Sequence, residues 1–306
     1  MLKFILSEAF LRSAVVFTVP ILFAALAALI SDKAGIVNIS IEGCMAVAAL
    51  AGALTSHFTH SWAWGLLCSA AAGIGISLLL AFAALRLGTH SVLAGIALNA
   101  MAAGICIFAL YSVLGVKGDS SAAPSVMIPD ISIPVLDQIP VIGSPLFHQN
   151  LLFPVAVLST AFVSFLLNKT RLGTHIKAVG YNEKAALSVG IRVNRIKVYA
   201  LIMSGLFAGL GGAYLSMAYL SYFSAGMVSG RGFIGLAAAA MGGGMPALTL
   251  LFAFLFGAVD CFAVGAQAVL GIPYELLNTL PYGMTVLAMV VYSLIKTRSK
   301  ERINAI

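Results

Sequence analysis

The stretch WAWGLLCSAAAGIGISLLLAFAAL, residues 62–85, runs for 24 residues without a charged side chain. A helix needs roughly 20 mostly apolar residues to cross about 30 Å of hydrocarbon. This stretch is therefore predicted to be a membrane-spanning helix. Comparable apolar stretches occur along the whole chain, at 13–30, 41–58, 92–115, 150–167, 198–222, 232–244, 247–270 and 276–295.

The overall composition leads to the same conclusion. Of the 306 residues, 61% are hydrophobic and 9% are charged, and the mean hydropathy is +1.06. A soluble domain carries about 25% charged residues because its surface must stay wet. We therefore predict an all-α polytopic membrane protein with about 8–10 transmembrane helices. Residues 1–306 are predicted to form a single transmembrane domain.

The positive charge of the chain indicates its orientation. The net charge is +7, and segment 168–197 holds seven basic residues against one acid, Glu183. Four more basic residues lie in the tail at 296–302. Because cytoplasmic loops carry an excess of Lys and Arg, segment 168–197 and the C-terminus are predicted to be cytoplasmic. No nucleic-acid binding is expected.

The proline-rich segment 116–149 is predicted to face outward. It holds three aspartates, one lysine and five prolines, and it lacks the basic excess of a cytoplasmic loop. A count of nine spans then places the N-terminus outside, whereas Lys3 and Arg12 favour the inside. The side of the N-terminus stays open.

Two regions, 31–43 and 230–245, interrupt the apolar pattern, one in each half of the chain. Broken segments in corresponding halves are typical of transporters built from an inverted internal repeat. We therefore predict such a repeat here, with a translocation path near the place where the two regions meet.

The sequence contains no motif typical of a metal site or of a phosphate-binding loop. The four cysteines, Cys44, Cys68, Cys106 and Cys261, lie inside apolar stretches without a CxxC spacing, and the five histidines do not cluster. No metal site is predicted from this pattern. The chain also contains no GxxxxGK[ST] phosphate loop, so no ATP site is predicted within it.

The stretch AVGYNEKAALSVGIRVNRIKVYA, residues 178–200, predicts one very short helix. Asn182 suits the N-cap, Glu183 the first turn, and Gly190 the left-handed residue that ends a helix. Two turns of helix are not stable alone, so this helix is expected to dock against something. The alternative is an ordinary connecting loop with an incidental helical turn.

The residues NEKAALSVGI (182–191) resemble the EAA-type loop of ABC importer permeases, in which a short coupling helix inserts into a groove on the cytoplasmic ATPase. Lys184 interrupts the usual Glu-Ala-Ala run, as in one branch of these permeases. The resemblance assigns the coupling role to Asn182, Glu183, Ala185, Ala186, Gly190 and Ile191.

That branch is the branched-chain amino acid and simple sugar permease family, especially its nucleoside and simple-sugar members. The resemblance covers roughly residues 15–295. Further stretches that look like its motifs, in the expected order, are KAGIVNISIEG (33–43), GIALNAMAAGI (95–105), GRGFIGLAAAAMG (230–242), LFGAVDCFAVGAQ (255–267) and LNTLPYGMTVLAMVVY (277–292).

The resemblance implies a multi-pass permease in a bacterial inner membrane that needs no cofactor of its own. Its expected partners are ATPase subunits that bind ATP, a second related permease or a second copy of this chain, and an external solute-binding protein. Segment 116–149 is either a docking surface for that binding protein or a loosely packed cap. The implied substrate is a nucleoside or a simple sugar, and another small solute such as riboflavin stays open.

Five polar residues are candidates for the translocation path: Asn38, Glu42, Asn99, Asp260 and Gln267. Asn38 or Ser40 could instead cap a helix that has Glu42 in its first turn. Asn99 and Gln267 could instead hydrogen-bond neighbouring helices. Asp260 could bond a helix, line the path, or couple protons in a secondary transporter, which is the main competing function. A membrane enzyme would need a polar constellation that the sequence does not show.

Overall fold

The structure, a computed structural model, describes residues 8–132 and 148–270, together with Gly283. In this part of the chain the regular structure is helical apart from one small two-stranded sheet. Seven of its helices are long and apolar enough to cross a membrane. This confirms the prediction of an all-α polytopic membrane protein.

Each predicted span within the described residues corresponds to one helix. In chain order the helices are α1 (Glu8–Lys33), α2 (Ile41–Thr59), α3 (Trp62–Ala81), α4 (Ser91–Leu114), α5 (Leu152–Lys169), α6 (Arg171–Tyr181), α7 (Glu183–Ser188), α8 (Val193–Tyr214), α9 (Arg231–Met241) and α10 (Pro246–Leu270). A π-helical turn extends α3 through Phe82–Arg86, and another extends α8 through Leu215–Tyr219. The span predicted at 276–295 lies outside the described residues.

Segment 168–197 is more helical than predicted. It holds two helices, α6 and α7, where a single short helix was expected, and α8 begins at Val193 rather than at 198. The physical reason is the spacing of apolar residues, because Val193, Ile196 and Ala200 bury one face of the first turns of α8. The basic residues between them do not stop the helix.

The second interrupted region forms a half-length helix. At 11 residues and about 1.5 Å per residue, α9 covers roughly half of the hydrocarbon thickness. Gly242, Gly243 and Gly244 then end it and lead into α10. The prediction of a broken segment at 230–245 is confirmed.

The most buried helix is α1, whose residues from Ile21 to Ile30 are covered on all sides. It packs against α8, α9 and α10, as expected of a helix that is apolar all round. By contrast, α4 packs mainly on α2 and leaves large side chains such as Phe108 and Leu93 exposed. Such an apolar face suits contact with lipid or another membrane chain.

Contacts along α1 fix its direction relative to α8. The ring of Phe17 lies 5.6 Å from the ring of Tyr219, which ends α8. The other end of α1 contacts the end of α6, where a Cβ added to Gly180 would overlap the carbonyl oxygen of Lys33. We call the end with α6 and α7 the inner end. The first helix thus begins at the opposite end of the bundle, which we call the outer end.

The described part of segment 116–149 is held against the outer end of α8. Ser125 donates from its backbone N–H to the carbonyl oxygen of Ser221 (2.7 Å) and from its hydroxyl to that of Ser216 (2.7 Å). Strand β1 (Asp130–Ser132) pairs with β2 (His148–Asn150) in antiparallel register. Hydrogen bonds from Ser121 hold the pKa of Asp119 below its ordinary value. These residues are a firmly attached cap rather than a loose one.

Candidate functional site

The short helix at the inner end begins at the residue that the sequence predicts. The Asn182 side-chain oxygen accepts a hydrogen bond of 3.1 Å from the N–H of Ala185. Asn182 is thus the N-cap, and Glu183 lies in the first turn of α7. A bond of this kind satisfies one of the N–H groups that a helix start leaves unpaired.

The end of α7 is a Schellman motif. The N–H of Ile191 donates to the carbonyl oxygen of Ala186, and the N–H of Gly190 donates to that of Leu187, both at 3.0 Å. Gly190 has a φ of +82°, the left-handed conformation that glycine adopts without a Cβ penalty. Both ends of this six-residue helix are therefore closed by the chain itself.

An ion pair fixes α7 to the next spanning helix. Lys197 Nζ lies 2.9 Å from Glu183 Oε1, and the two side chains are 11% and 51% exposed. Because water reaches Glu183, the pair contributes little free energy of folding. Its consequence is geometric: α7 and the first turns of α8 are held together at two points, through this pair and through Ile191 packed on the core.

Three exposed apolar side chains lie on and beside α7. Tyr181 at the end of α6, Leu187 in α7 and Val189 just after α7 have exposed fractions of 96%, 56% and 73%, and we call these three side chains the apolar tip. Ala185, a predicted coupling residue, is exposed beside them, whereas Ala186 is buried within this chain. Ala186 therefore packs inward, and the apolar tip adds three exposed side chains that the sequence reasoning did not single out.

A cavity of about 160 Å³ lies between α2, α4 and residues 223–228. Its wall includes Glu42, Asn99, Cys106 and Phe223, so two predicted path residues share it. A larger cavity of about 590 Å³ lies between α1, α5 and α10, but its wall is almost entirely apolar. A hydrophilic solute needs polar groups that orient it, which makes the smaller cavity the candidate.

Glu42 joins the two interrupted regions. Its Oε1 accepts from the N–H of Gly230 and its Oε2 from the N–H of Gly232, both at 2.8 Å. The carboxylate thus caps the start of α9, where a negative charge is favourable. Ser40, one of the two residues suggested as the N-cap of α2, holds that position, but its side chain makes no capping bond. Glu42 lies in the first turn of α2 but serves a different helix.

Asn99 holds the start of α2 from the neighbouring helix α4. Its Nδ2 donates to the carbonyl oxygen of Ile39 (2.9 Å), and its Oδ1 accepts from the N–H of Gly43 (2.8 Å). These bonds are interhelical packing of the kind weighed against substrate contact. Its position in the cavity wall leaves substrate contact as a prediction.

Asn38 lies in a buried polar network that includes side chains of α3 and α8. Its Nδ2 donates to Ser204 Oγ (2.9 Å) and Ser77 Oγ (3.4 Å), and its Oδ1 accepts from the N–H and hydroxyl of Ser40 (3.0 and 2.6 Å). The network connects α3 and α8 to the segment before α2. Every hydrogen-bonding group of the amide is therefore used within the chain.

Asp260 is paired with an arginine that the sequence reasoning missed. Arg231 Nε lies 3.3 Å from Asp260 Oδ2, and both side chains are almost fully buried. The guanidinium also donates to the carbonyl oxygen of Met227 (3.0 Å) and lies 5.4 Å and 5.9 Å from the ring centres of Phe17 and Tyr219. This arrangement favours the structural role for Asp260 over path lining.

The fifth predicted path residue is Gln267. It lies near the end of α10, and its side chain lies outside the described residues. Of the predicted path residues, the structure brings Glu42 and Asn99 into one wall, bonds Asn38 to α3 and α8, and pairs Asp260 with the first residue of α9.

Comparisons with known proteins match almost the whole chain. A family model described as the branched-chain amino acid transport system permease component matches residues 10–292. The guanosine ABC transporter permease protein NupQ of Bacillus subtilis is 32% identical, over 90% of this chain and 88% of its own. The glucose ABC transporter permease protein TsgC13 of Haloferax volcanii is 30% identical, over 91% and 89%.

A solved structure has a similar fold. A protein described as a metal-chelate type ABC transporter, in an inward-facing conformation, aligns with a TM-score of 0.51. The alignment covers 94% of this chain and 88% of that one, at 18% identity. The described helices therefore share their fold with a membrane transporter whose structure has been solved.

Proposed function

The chain belongs to the family of branched-chain amino acid transport system permease components, and we propose that this ABC transporter permease imports a nucleoside or a simple sugar. Its relatives are named as guanosine, nucleoside and glucose permeases. The cavity bounded by Glu42, Asn99 and Phe223 supports such a solute, since a carboxylate, an amide and an aromatic ring lie in its wall. At about 160 Å³ it must widen to hold one, because ligand sites measure roughly 300–1,000 Å³. Solute would cross by alternating access.

The observation that carries the ATP-driven mechanism is the apolar tip. A six-residue helix with both ends capped, together with the residues that flank it, presents Tyr181, Leu187 and Val189 at the inner end of the bundle. Exposed apolar side chains in a charged surrounding are typical of a protein–protein contact. We propose that the tip inserts into a groove on a cytoplasmic ATPase subunit, which binds and hydrolyses ATP.

The remaining partners follow from the same proposal. A second related permease, or a second copy of this chain, would cover the exposed face of α4. An external solute-binding protein would dock on segment 116–149, whose described part forms a firm outer surface through its bonds to residues 216–225. The inner end would be cytoplasmic, with the C-terminus, in a bacterial inner membrane.

An ion-coupled transporter remains the competing function. It would require Asp260 to gain and lose a proton or a cation during transport. The ion pair with Arg231 opposes this, because protonation of Asp260 would leave a buried guanidinium without its partner. The pair therefore supports the ATP-driven proposal.

The proposal is tested by tagging the chain, purifying it in mild detergent and identifying the proteins that accompany it by mass spectrometry. We expect an ATPase and a second permease subunit. The complex is then placed in vesicles with the binding protein, and uptake of radiolabelled guanosine, uridine and glucose is measured with and without vanadate. The proposal is supported if one of these three solutes is taken up and vanadate abolishes its uptake. Uptake by the chain alone, driven by an ion gradient without ATP, would overturn it.

A further inference from the structure

A non-helical segment, residues 34–40, connects α1 to α2, and we call it the strap. It begins with a turn that closes α1, since the N–H groups of Gly35 and Ile36 donate to the carbonyl oxygens of Asp32 and Ser31 and Gly35 has a φ of +72°. Residues 36–38 then continue without a turn, and a second turn at 39–40 leads into α2. The strap therefore carries the chain from the inner end of α1 to the start of α2.

The inner end of the strap contacts the helices that carry the apolar tip. A Cβ added to Gly180 would overlap the carbonyl oxygen of Lys33 and would lie 3.1 Å from the N–H nitrogen of Gly35. Gly180 lies in the last turn of α6, two residues before Asn182, the N-cap of α7. Backbone therefore rests on backbone here, with no side chain between them to absorb a displacement.

The middle of the strap is held by Asn38. Its amide bonds Ser204 in α8 and Ser77 in α3. Lys197, on the same helix as Ser204, is the residue paired with Glu183 of α7. The short helix is thus linked to the strap by a second route, through α8.

The far end of the strap is bonded to a residue of the cavity wall. Asn99, which lines the cavity, bonds the carbonyl oxygen of Ile39 and the N–H of Gly43. Glu42, also in the wall, lies two residues beyond the strap and caps α9. A displacement of the strap must therefore move two residues that line the cavity.

From these contacts we propose that the strap transmits movement of α6 and α7 to the cavity, with Gly180, Asn38 and Asn99 as its positioning residues. The inference rests on the proposed function, in which a partner ATPase moves α7. A rigid contact at one end and a two-bond clamp at the other make the strap respond as one body. Because the strap bonds α1 only at its last turn, its displacement moves the end of α1 and does not require the rest of that helix to unwind.

The test uses Cys106 as a reporter, since it lies in the cavity wall and is 3% exposed. The other three cysteines are replaced by alanine in the complete complex, which is placed in phosphatidylethanolamine–phosphatidylglycerol vesicles. The labelling rate of Cys106 with a maleimide is measured without nucleotide and after trapping with ATP and vanadate. We expect the two rates to differ at least about fivefold, the lower end of typical coupling.

Gly180→Ala should keep vanadate-sensitive ATP hydrolysis while its two labelling rates agree within about twofold. The matched control is Gly75→Ala in α3, where an added Cβ meets nothing within 4 Å; it should keep the full difference. If Gly180→Ala fails to assemble, Asn99→Ala is used instead. It removes the two bonds to Ile39 and Gly43 and must also abolish the difference between the two labelling rates. The proposal is overturned if an assembled variant keeps the full difference between the rates, or if the parent complex shows no difference. Lack of any ATPase activity in the parent would instead count against the proposed function.

Discussion

Glu42 and Gly232 lie 190 positions apart in the sequence and are joined by a hydrogen bond of 2.8 Å from the backbone N–H to Oε2. The other carboxylate oxygen accepts from Gly230 at the same distance. A helix start leaves N–H groups unpaired, and hydrocarbon contains no water that could replace the missing partners. One carboxylate therefore makes a half-length helix tolerable inside the membrane and ties it to α2.

Replacing Glu42 by glutamine should destabilise the protein. Glutamine has one acceptor oxygen, and its amide group would face a backbone donor, which leaves a buried N–H unsatisfied at a cost of about 1–3 kcal/mol. The thermal midpoint of the purified complex should fall. Asp32→Asn removes a charge from an exposed position at the inner end of α1 and serves as the control. Equal midpoints for the two variants would contradict the capping role.

The pair of Arg231 and Asp260 should behave as a unit. Removal of one partner leaves an uncompensated buried charge, which costs about 3–5 kcal/mol. Arg231→Met and Asp260→Leu should each lower the thermal midpoint strongly, and the double variant should lose less than the sum of the two. Additive losses would mean that the contact carries no coupling energy.

Gly190→Ala should loosen the end of α7. The left-handed backbone at φ +82° costs a residue with a Cβ roughly 1–2 kcal/mol, although the added methyl group meets no neighbour. Hydrogen exchange should quicken at the N–H groups of Gly190 and Ile191, which close the helix. Gly190→Asn should exchange less, since asparagine tolerates this conformation. Equal protection in the parent and Gly190→Ala would refute the strain argument.

Gly205 and Gly209, four residues apart in α8, allow this helix to pack closely against α3. A Cβ on Gly209 would lie 2.7 Å from the carbonyl oxygen of Ser69 and 2.9 Å from the Cα of Ala70, both in α3. Gly209→Ala should therefore separate the helices and lower the thermal midpoint. Gly75→Ala, where the added carbon meets open space, should not. If Gly209→Ala leaves the thermal midpoint as unchanged as Gly75→Ala does, the contact between α3 and α8 can accommodate an added methyl group without loss of stability.

The sequence was sufficient where one local signal decides the structure. Apolar runs of spanning length located the helices, and Asn182 and Gly190 marked the two ends of α7 correctly. Local capping rules failed at Glu42, because the helix that it caps begins near residue 231, far along the chain. The side chains of the apolar tip were also missed, since their exposure depends on how α7 packs against α8.

A global signal for the missed arginine was present in the sequence. Arg231 and Asp260 are the only charged residues between Lys197 and Glu275. Two lone charges of opposite sign inside an apolar region favour a pair, because each is costly in hydrocarbon without the other. Taken alone, Asp260 is compatible with three roles, whereas the second lone charge indicates a partner for it.

The apolar tip should decide whether the chain holds its ATPase. Val189→Asp places a charge on a side chain that is exposed in this chain and would be desolvated in the proposed groove, a change that disfavours binding. The variant should insert normally, but the ATPase should no longer co-purify and uptake should be lost. Met127→Asp makes the same change at an exposed apolar residue of the outer segment and should leave ATPase recovery intact. Full recovery of the ATPase with Val189→Asp would mean that the partner binds elsewhere on the inner end.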